Sequence, residues 1–307
     1  MDEYTLKTRA WLDNRFRDTN SAGIYRAHQP IYGFRKGPCE FGLVSRYIRT
    51  YHIMRAIARL DAKSLLDVGA AEGYKAALAK HLFGMEAVAS DLSPEACKRA
   101  EEIYHIRAVP ADVHDLPFSD GEFDIVLCSE TLEHVTDYRI AVKELMRVAK
   151  KAVIVTVPHE PEEKVEENIN TAVPHGHIHA FGPDSFDYLK AEGLIVHSWK
   201  AHSSKMTIPG VLVDAMPVEY QSRWKFPKFV ATLYNIGVPI LRLFSSKHTA
   251  ARLLRKDEEI CRTSPTYTGL VVMILKDPAS FHEDKPAPVD ALKIVEFAVP
   301  YHYLKKS

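Results

Sequence analysis

Cysteine is scarce in this 307-residue chain: four residues, Cys39, Cys97, Cys128 and Cys261, widely spaced and without a C-x-x-C pair. That pattern offers no secreted disulfide framework, and a reducing, cytoplasmic setting is the expectation. The sequence also has no run of 18 apolar residues free of charge, so no spanning helix is expected. Its first residues, MDEYTLKTRAWLDNRF, lack the apolar stretch of a signal peptide. An excess of one charge is missing too. Lys+Arg and Asp+Glu both number 40, which argues against a strongly basic nucleic-acid binder and leaves only local patches. Internal repeats and low-complexity runs are absent. Apolar residues make up 46%, enough for a substantial core, and the length allows one large domain or two small ones.

Between about residues 62 and 158, apolar strand-like runs alternate with amphipathic helical ones. SLLDVG, EAVAS, IRAVPAD, FDIVLCS and KAVIVTVP read as strands. YKAALAKHLFG reads as a helix stopped by Gly84, and SPEACKRAEEIYH as a helix capped by Ser93 with Pro94 at its first position. In YRIAVKELMRVAK, Ile140, Val142, Leu145, Met146 and Val148 fall mostly on one face. Such alternation predicts an α/β fold: right-handed βαβ units and a mostly parallel sheet with helices on both faces. Ligands of such sheets bind beyond the carboxyl ends of the strands.

Upstream, EFGLVSRYIRTYHIMRAIARL predicts a helix with Leu43, Tyr47, Ile48, Tyr51, Met54, Ile57 and Ala58 inward. Downstream, FGPDSFDYLKAEG predicts a helix, LIVHSWKA a strand and GLVVMILKD a last strand. The organisation expected is an N-terminal helical cover over 1–60, a core over 61–202, a helical insertion over 203–268 as an acceptor lid, and the last strand with an extended, Pro-rich tail over 269–307. From 205 to 256 the insertion carries nine Lys/Arg against Asp214 and Glu219, and it is also apolar. Three readings stand: a lid packed on the core, a segment that meets an anionic membrane or a lipid-linked acceptor, and a contact for RNA or protein. The zero net charge and the lack of a recognisable RNA-binding module speak against RNA.

The turn after the first strand, LLDVGAAEG, has Gly69 and Gly73 but Ala71 where a dinucleotide fingerprint needs its middle glycine. Asp67 and Glu72 flank it and would repel a diphosphate but attract an ammonium and a sulfonium. Asp91 ends the second strand, where a carboxylate can take both ribose hydroxyls, and Asp112 with Val113 follows the third, suited to an adenine. Together with AVASDLSPE, VPADVHDLPFSDGEFDIVLCSETLEHV and VIVTVPHE, these residues resemble the class I S-adenosylmethionine-dependent methyltransferases over about residues 62–200. The resemblance implies a Rossmann-like sheet with a seventh, antiparallel strand, and S-adenosylmethionine as methyl donor. It also implies donor contacts from Asp67, Gly69, Ala70, Gly73, Asp91, Leu92, Asp112, Val113 and Ser129.

CSETLEHV, after the fourth strand, places Glu130, Glu133 and His134 at i, i+3 and i+4, one face if a helical turn begins there. Two carboxylates and an imidazole can hold a divalent cation, Mg or Zn, with a further ligand from His175, His177 or His179 in PHGHIHAFG. The E-x-x-E-H pattern resembles ubiquinone-biosynthesis O-methyltransferases and small-RNA 2′-O-methyltransferases, which implies the set Glu130, Glu133, His134 and His179. The alternatives are a metal-free site with a histidine base, His134 or His179, and purely structural histidines. The expected function is O-methylation of a small, glycan, quinone-like or lipid-linked hydroxyl acceptor. RNA 2′-O-methylation and a silent donor-binding scaffold are the alternatives.

Overall fold

A computed structural model describes residues 1–35, 43–171, 175–217, 227–283 and 289–299. Two helices, α1 (Glu3–Arg17) and α2 (Leu43–Ile57), precede the sheet. β1 (Ser64–Val68) then leads through a turn to α3 (Tyr74–Phe83), β2 (Glu86–Asp91), α4 (Pro94–Tyr104), β3 (Ala108–Pro110) and β4 (Phe123–Ser129). α5 (Tyr138–Val148), β5 (Ala149–Pro158), α6 (Glu162–Asn170), α7 (Tyr188–Ala191) and β6 (Ile195–Ser203) follow. The insertion holds α8 (Thr207–Asp214), α9 (Lys228–Phe244) and α10 (Lys247–Cys261), before β7 (Tyr267–Leu275) and α11 (Ala291–Glu296).

The strands form one seven-stranded sheet in the order β3-β2-β1-β4-β5-β7-β6. All pairings are parallel except those of β7, which runs antiparallel to both β5 and β6. This is the predicted α/β architecture with its antiparallel last strand. The inner strands are apolar on both sides because helices cover both faces. Ile125, Leu127 and Ile154 pack toward α2 and α3, while Val126, Cys128 and Val153 pack toward α5. The expected caps hold: Ser93 Oγ accepts from Ala96 N–H at 3.3 Å, and Gly84 closes α3 in the left-handed region at φ 68°.

Several boundaries differ from expectation. The stretch 181–193 is a series of turns with one helical turn, α7. Its buried residues, Phe181 and Phe186, stack at 5.7 Å, and a chain folded back to bring them together cannot follow a helical repeat. On α5, Ile140 points to solvent at 53% exposure and Ala141 takes the inward position. The tail is not simply extended: α11 buries Ile294 and Val295 in the core shared with α2 and α10. Cys39 and residues 218–226 of the insertion lie outside the described residues.

The N-terminal cover is fastened to the sheet by a buried carboxylate. Glu72, fully buried, accepts from Tyr25 O–H at 2.9 Å, from Gln29 N–H at 3.2 Å and from His28 N–H. α1 lies on α4, where Arg17 pairs with Glu95 at 2.9 Å and Arg99 donates to Phe16 O at 3.3 Å. A second buried carboxylate fixes the insertion. Asp257 on α10 accepts from His202 N–H at 3.0 Å, Ser203 N–H at 2.7 Å and His52 Nε2 at 2.8 Å, joining α10 to β6 and α2.

Removing that carboxylate orphans two buried backbone donors. Asp257→Ala should lower unfolding stability by about 3 kcal/mol, and Asp257→Asn, which keeps one acceptor oxygen, by less. Urea unfolding followed by circular dichroism measures both, and an Asp257→Ala protein as stable as the parent would contradict the assignment.

Candidate functional site

The carboxyl ends of β1 and β2 meet in one knot. After β1 the backbone turns through left-handed residues at Gly69 (φ 71°), Ala71 (φ 50°) and Gly73 (φ 74°). Ala70 N–H donates to Ser90 O at 3.0 Å, and Ala71 N–H donates to Asp91 Oδ2 at 2.8 Å. Asp91 Oδ1 accepts from Ser93 N–H at 2.9 Å. Gly69 is required by contact as well as by φ, because a Cβ there would overlap the Thr131 side chain. Gly73 serves packing rather than ligand approach: a Cβ would stand 2.9 Å from Ala100 Cβ on α4.

Asp67, one residue before the end of β1, is 0% exposed, and neither of its carboxylate oxygens has a hydrogen-bond partner. Burial raises its pKa to about 6, although Lys75 draws it back. Burial likewise raises Asp91 to about 6, against the pull of its backbone donors. Two carboxylates held dry at neighbouring strand tips form a site in want of a cation.

Above this knot lies a cavity of about 920 Å³. Gly69, Asp91, Leu92, Asp112, Val113 and Ser129 line it, as the sequence led one to expect. Asp67, Ala70 and Gly73 are not on its surface but directly support the turn that is. Asp112 Oδ1 already accepts from His114, from the backbone N–H at 3.0 Å and from Nδ1 at 2.7 Å, which holds its pKa below the usual carboxylate range. Ser129 Oγ meets Thr156 Oγ1 at 2.8 Å. Glu72 does not face the cavity: it is spent on the N-terminal cover, which corrects its assignment as a cation-attracting flank.

The opposite walls come from α1, α2 and α8, through Trp11 and Arg15, Ile48 and Arg49, and Gly210 and Asp214. The N-terminal cover and the insertion therefore both shape this cavity; the described tail contributes nothing to its lining. Arg15, Arg49, Lys75 and Thr131 were not picked out by the sequence reading. No local motif marks Arg15 or Arg49, which reach the cavity from elements distant in the chain; Lys75 stands behind the turn, and Thr131 lies inside CSETLEHV.

The polar cluster after β4 differs from the one-face helical expectation. Glu130 sits in the left-handed region at φ 55°, so no helical turn starts there, and only Leu132–His134 forms a short 3₁₀ turn. Glu130 points to Arg49 at 3.3 Å and accepts from Thr156 Oγ1 at 3.1 Å. His179 Nε2 bonds to Val135 O at 2.7 Å and lies outside the cavity lining. The expected quartet of Glu130, Glu133, His134 and His179 is therefore not assembled. In its place, Glu133, His134 and His177 bring their ligating atoms within 4.8 Å of one another.

Each imidazole of that trio is fixed through one nitrogen. His134 Nδ1 bonds to Gly176 O at 3.2 Å, so it carries the proton and Nε2 keeps the lone pair. His177 Nδ1 pairs with Glu160 Oε2 at 2.5 Å. Glu133 is 1% exposed with Oε2 unpartnered, and burial raises its pKa well above the usual carboxylate range. Burial lowers His134 to about 3, so it is neutral at physiological pH. His175 stacks between His134 at 3.7 Å and Trp11 at 4.9 Å, which ties α1 to the cluster.

Comparison with known proteins points one way. Residues 66–157 match the family model described as a methyltransferase domain. The chain is 36% identical over 115 residues to tocopherol O-methyltransferase of Arabidopsis thaliana, covering 34% of this chain and 33% of that protein. It is 36% identical over 94 residues to norajmaline N-methyltransferase of Rauvolfia serpentina, covering 28% and 32%. It thus spans about a third of the length of these two curated relatives. With the ubiquinone/menaquinone biosynthesis C-methyltransferase UbiE of a Shewanella species it shares 27% identity over 63% of this chain and 81% of that protein. Among solved structures, a methyltransferase in complex with a Haloferax volcanii methyltransferase activator superposes with a TM-score of 0.51 at 16% identity, covering 90% of this chain and 99% of that one. At that identity the likeness speaks to fold.

A charge buried at a cost in the empty protein predicts a separable mutant. Asp67→Asn should stabilise the ligand-free protein by ~1–3 kcal/mol near neutral pH, because the folded pKa lies above the unfolded value. Asp67 contributes stability while protonated and loses it as pH rises through about 6, so the mutant's gain should vanish as pH falls from about 6 to 4. Thermal unfolding across pH measures this. A gain that persists at low pH would place the effect elsewhere.

Proposed function

From residues 66–157 as a class I S-adenosylmethionine-dependent methyltransferase domain, we propose that the chain methylates a hydroxyl on an apolar small-molecule acceptor. The observation that carries the donor half is the unpartnered, fully buried Asp67 beneath a glycine-bearing turn at the tip of β1, beside Asp91. These residues fit the donor: the acids favour its positive charge, and Gly69 lets the backbone come close. S-adenosylmethionine, when bound, supplies a methyl group activated by its positive sulfur. Asp91 suits the ribose hydroxyls, and Asp112 with Val113 and Leu92 suits the adenine.

On the acceptor side, Leu12, Ile48, Met206 and Val211 offer an apolar wall, and His134 faces the same cavity. With Nδ1 committed to Gly176 O, Nε2 of His134 is placed to take the acceptor's proton as its oxygen gains the methyl group. A weak base suffices there, because the hydroxyl proton becomes strongly acidic as the new C–O bond forms. Walls from α1, α2 and α8 keep water out and hold the acceptor in line, which supplies much of the rate.

A second reading follows from the trio of Glu133, His134 and His177. Both histidines have their other ring nitrogen tied to a carbonyl or a carboxylate, as metal ligands commonly do. A divalent cation such as Zn or Mg held by these three would lower the pKa of a bound hydroxyl. Glu130 and His179 are not part of this set.

The test is methyl transfer from labelled donor to a panel of phenols and apolar alcohols. His134→Gln should lower kcat by about 10²-fold or more with donor affinity unchanged, whereas His179→Gln should stay within about threefold. Because His134 is neutral down to about pH 3, its protonation should produce no acid limb in kcat near neutrality. Activity lost to a chelator and restored by Zn or Mg, together with a tightly bound metal by elemental analysis, selects the cation reading. Activity that survives chelation selects the base reading. Donor binding without turnover on any acceptor class, RNA included, would leave a silent scaffold.

A further inference from the structure

Helix α9 carries its apolar face outward. Phe229, Leu233, Ile236, Ile240, Leu243 and Phe244 are 68%, 65%, 68%, 59%, 82% and 77% exposed. At ~100° per residue these six fall within an arc of about 100° on one side of the helix. The opposite side is the one that packs: Val238 is buried, and Tyr234 O–H donates to Val211 O on α8 at 3.3 Å. On helix α8, Ile208 is also 63% exposed. A contiguous face of this size left in water marks a surface for something apolar.

Charge and shape indicate what covers it. Residues 228–244 contain no acid, with Lys228 at the start and Arg242 in the last turn, and exposed Arg252 and Arg255 follow on α10. Among the described residues no single helix is long and apolar enough to cross a membrane. α9 and α10 reach that hydropathy only as a pair bent by 93°, which suits a helix lying in an interface rather than passing through it. A second copy of this chain is a poorer occupant. Two α9 helices paired antiparallel would bring Lys228 of one near Arg242 of the other, with no acid on either helix to offset them.

We propose that the α9 face docks this protein on an anionic lipid surface. The apolar arc sinks to the level of the acyl chains, and Lys228, at the start of α9 and nearer the arc than Arg242, meets lipid phosphates. Behind α9 stands α8, whose Thr207, Gly210 and Val211 line the cavity, so docking sets the acceptor side of the site next to the lipid phase. Docking does not depend on the methyl-transfer reading, since lipid binding is measured without donor or acceptor.

The experiment is co-sedimentation of the full chain with phosphatidylcholine vesicles, with and without phosphatidylglycerol. The protein should pellet with the anionic vesicles, and less so as salt rises. The double variant Ile236→Glu/Leu243→Glu should partition at least about tenfold less. Both positions are exposed, so its thermal unfolding should match the parent, which separates lost docking from lost folding. A parent that stays in the supernatant with anionic vesicles, or a variant that partitions as the parent does, overturns the proposal. So does a parent dimer by light scattering that the variant abolishes, without vesicle binding by either, since the face would then join two copies.

Discussion

The hydrogen bond from Ala71 N–H to Asp91 Oδ2 is the interaction on which the rest of the site rests. It locks the turn after β1 to the tip of β2, and with Ala70 N–H on Ser90 O it sets the floor of the cavity. The left-handed residues at 69, 71 and 73 exist to make that approach, and the helices α3 and α4 leave from its two sides. Both Asp67 and Asp91 are buried beside this closure, and burial raises the pKa of each. The site's electrostatics are thus a consequence of backbone geometry more than of any count of charged residues.

The same economy recurs in the cover. Glu72 sits in the floor turn yet spends its carboxylate on Tyr25, His28 and Gln29. Asp257 does the equivalent for the insertion, drawing backbone donors of β6 to α10. Two accessory segments, one before the sheet and one within its last connection, are tied to the sheet by buried acids. Between them they wall the cavity without altering the strand order. The floor of the cavity is therefore made by the sheet, and its opposite walls by the additions.

Most of the sheet was legible because apolar runs of five to seven residues ended in Gly, Asp or Ser, and the helices between them carried their own caps. Gly84 and Ser93 behave as local rules require, since their roles depend on neighbours within four residues. Legibility failed where a role depends on backbone conformation that residue types do not encode. Glu130 looked like the first ligand of a helical face, but its left-handed φ turns the carboxylate to Arg49. In HGHIH, His175 also lies in the left-handed region, at φ 54°, and the chain emerges with His177 rather than His179 toward His134. Arg49 and Arg15 come from other elements, and nothing near them in sequence announces the meeting. In 181–193 a helical pattern of polarity was overridden by the stacking of Phe181 on Phe186.

The stack of Trp11 on His175 on His134 joins residues made far apart in synthesis. Helix α1 emerges first, but its partners lie on α4 and then at residue 175. At ribosomal speeds the interval between residues 11 and 175 is on the order of ten seconds. During that interval α4 is already available to α1, but Trp11 lacks its stacking partner His175. The wall that α1 and α8 give the cavity is thus complete only once residues 175 and 207–214 have been made, long after the turn that follows β1.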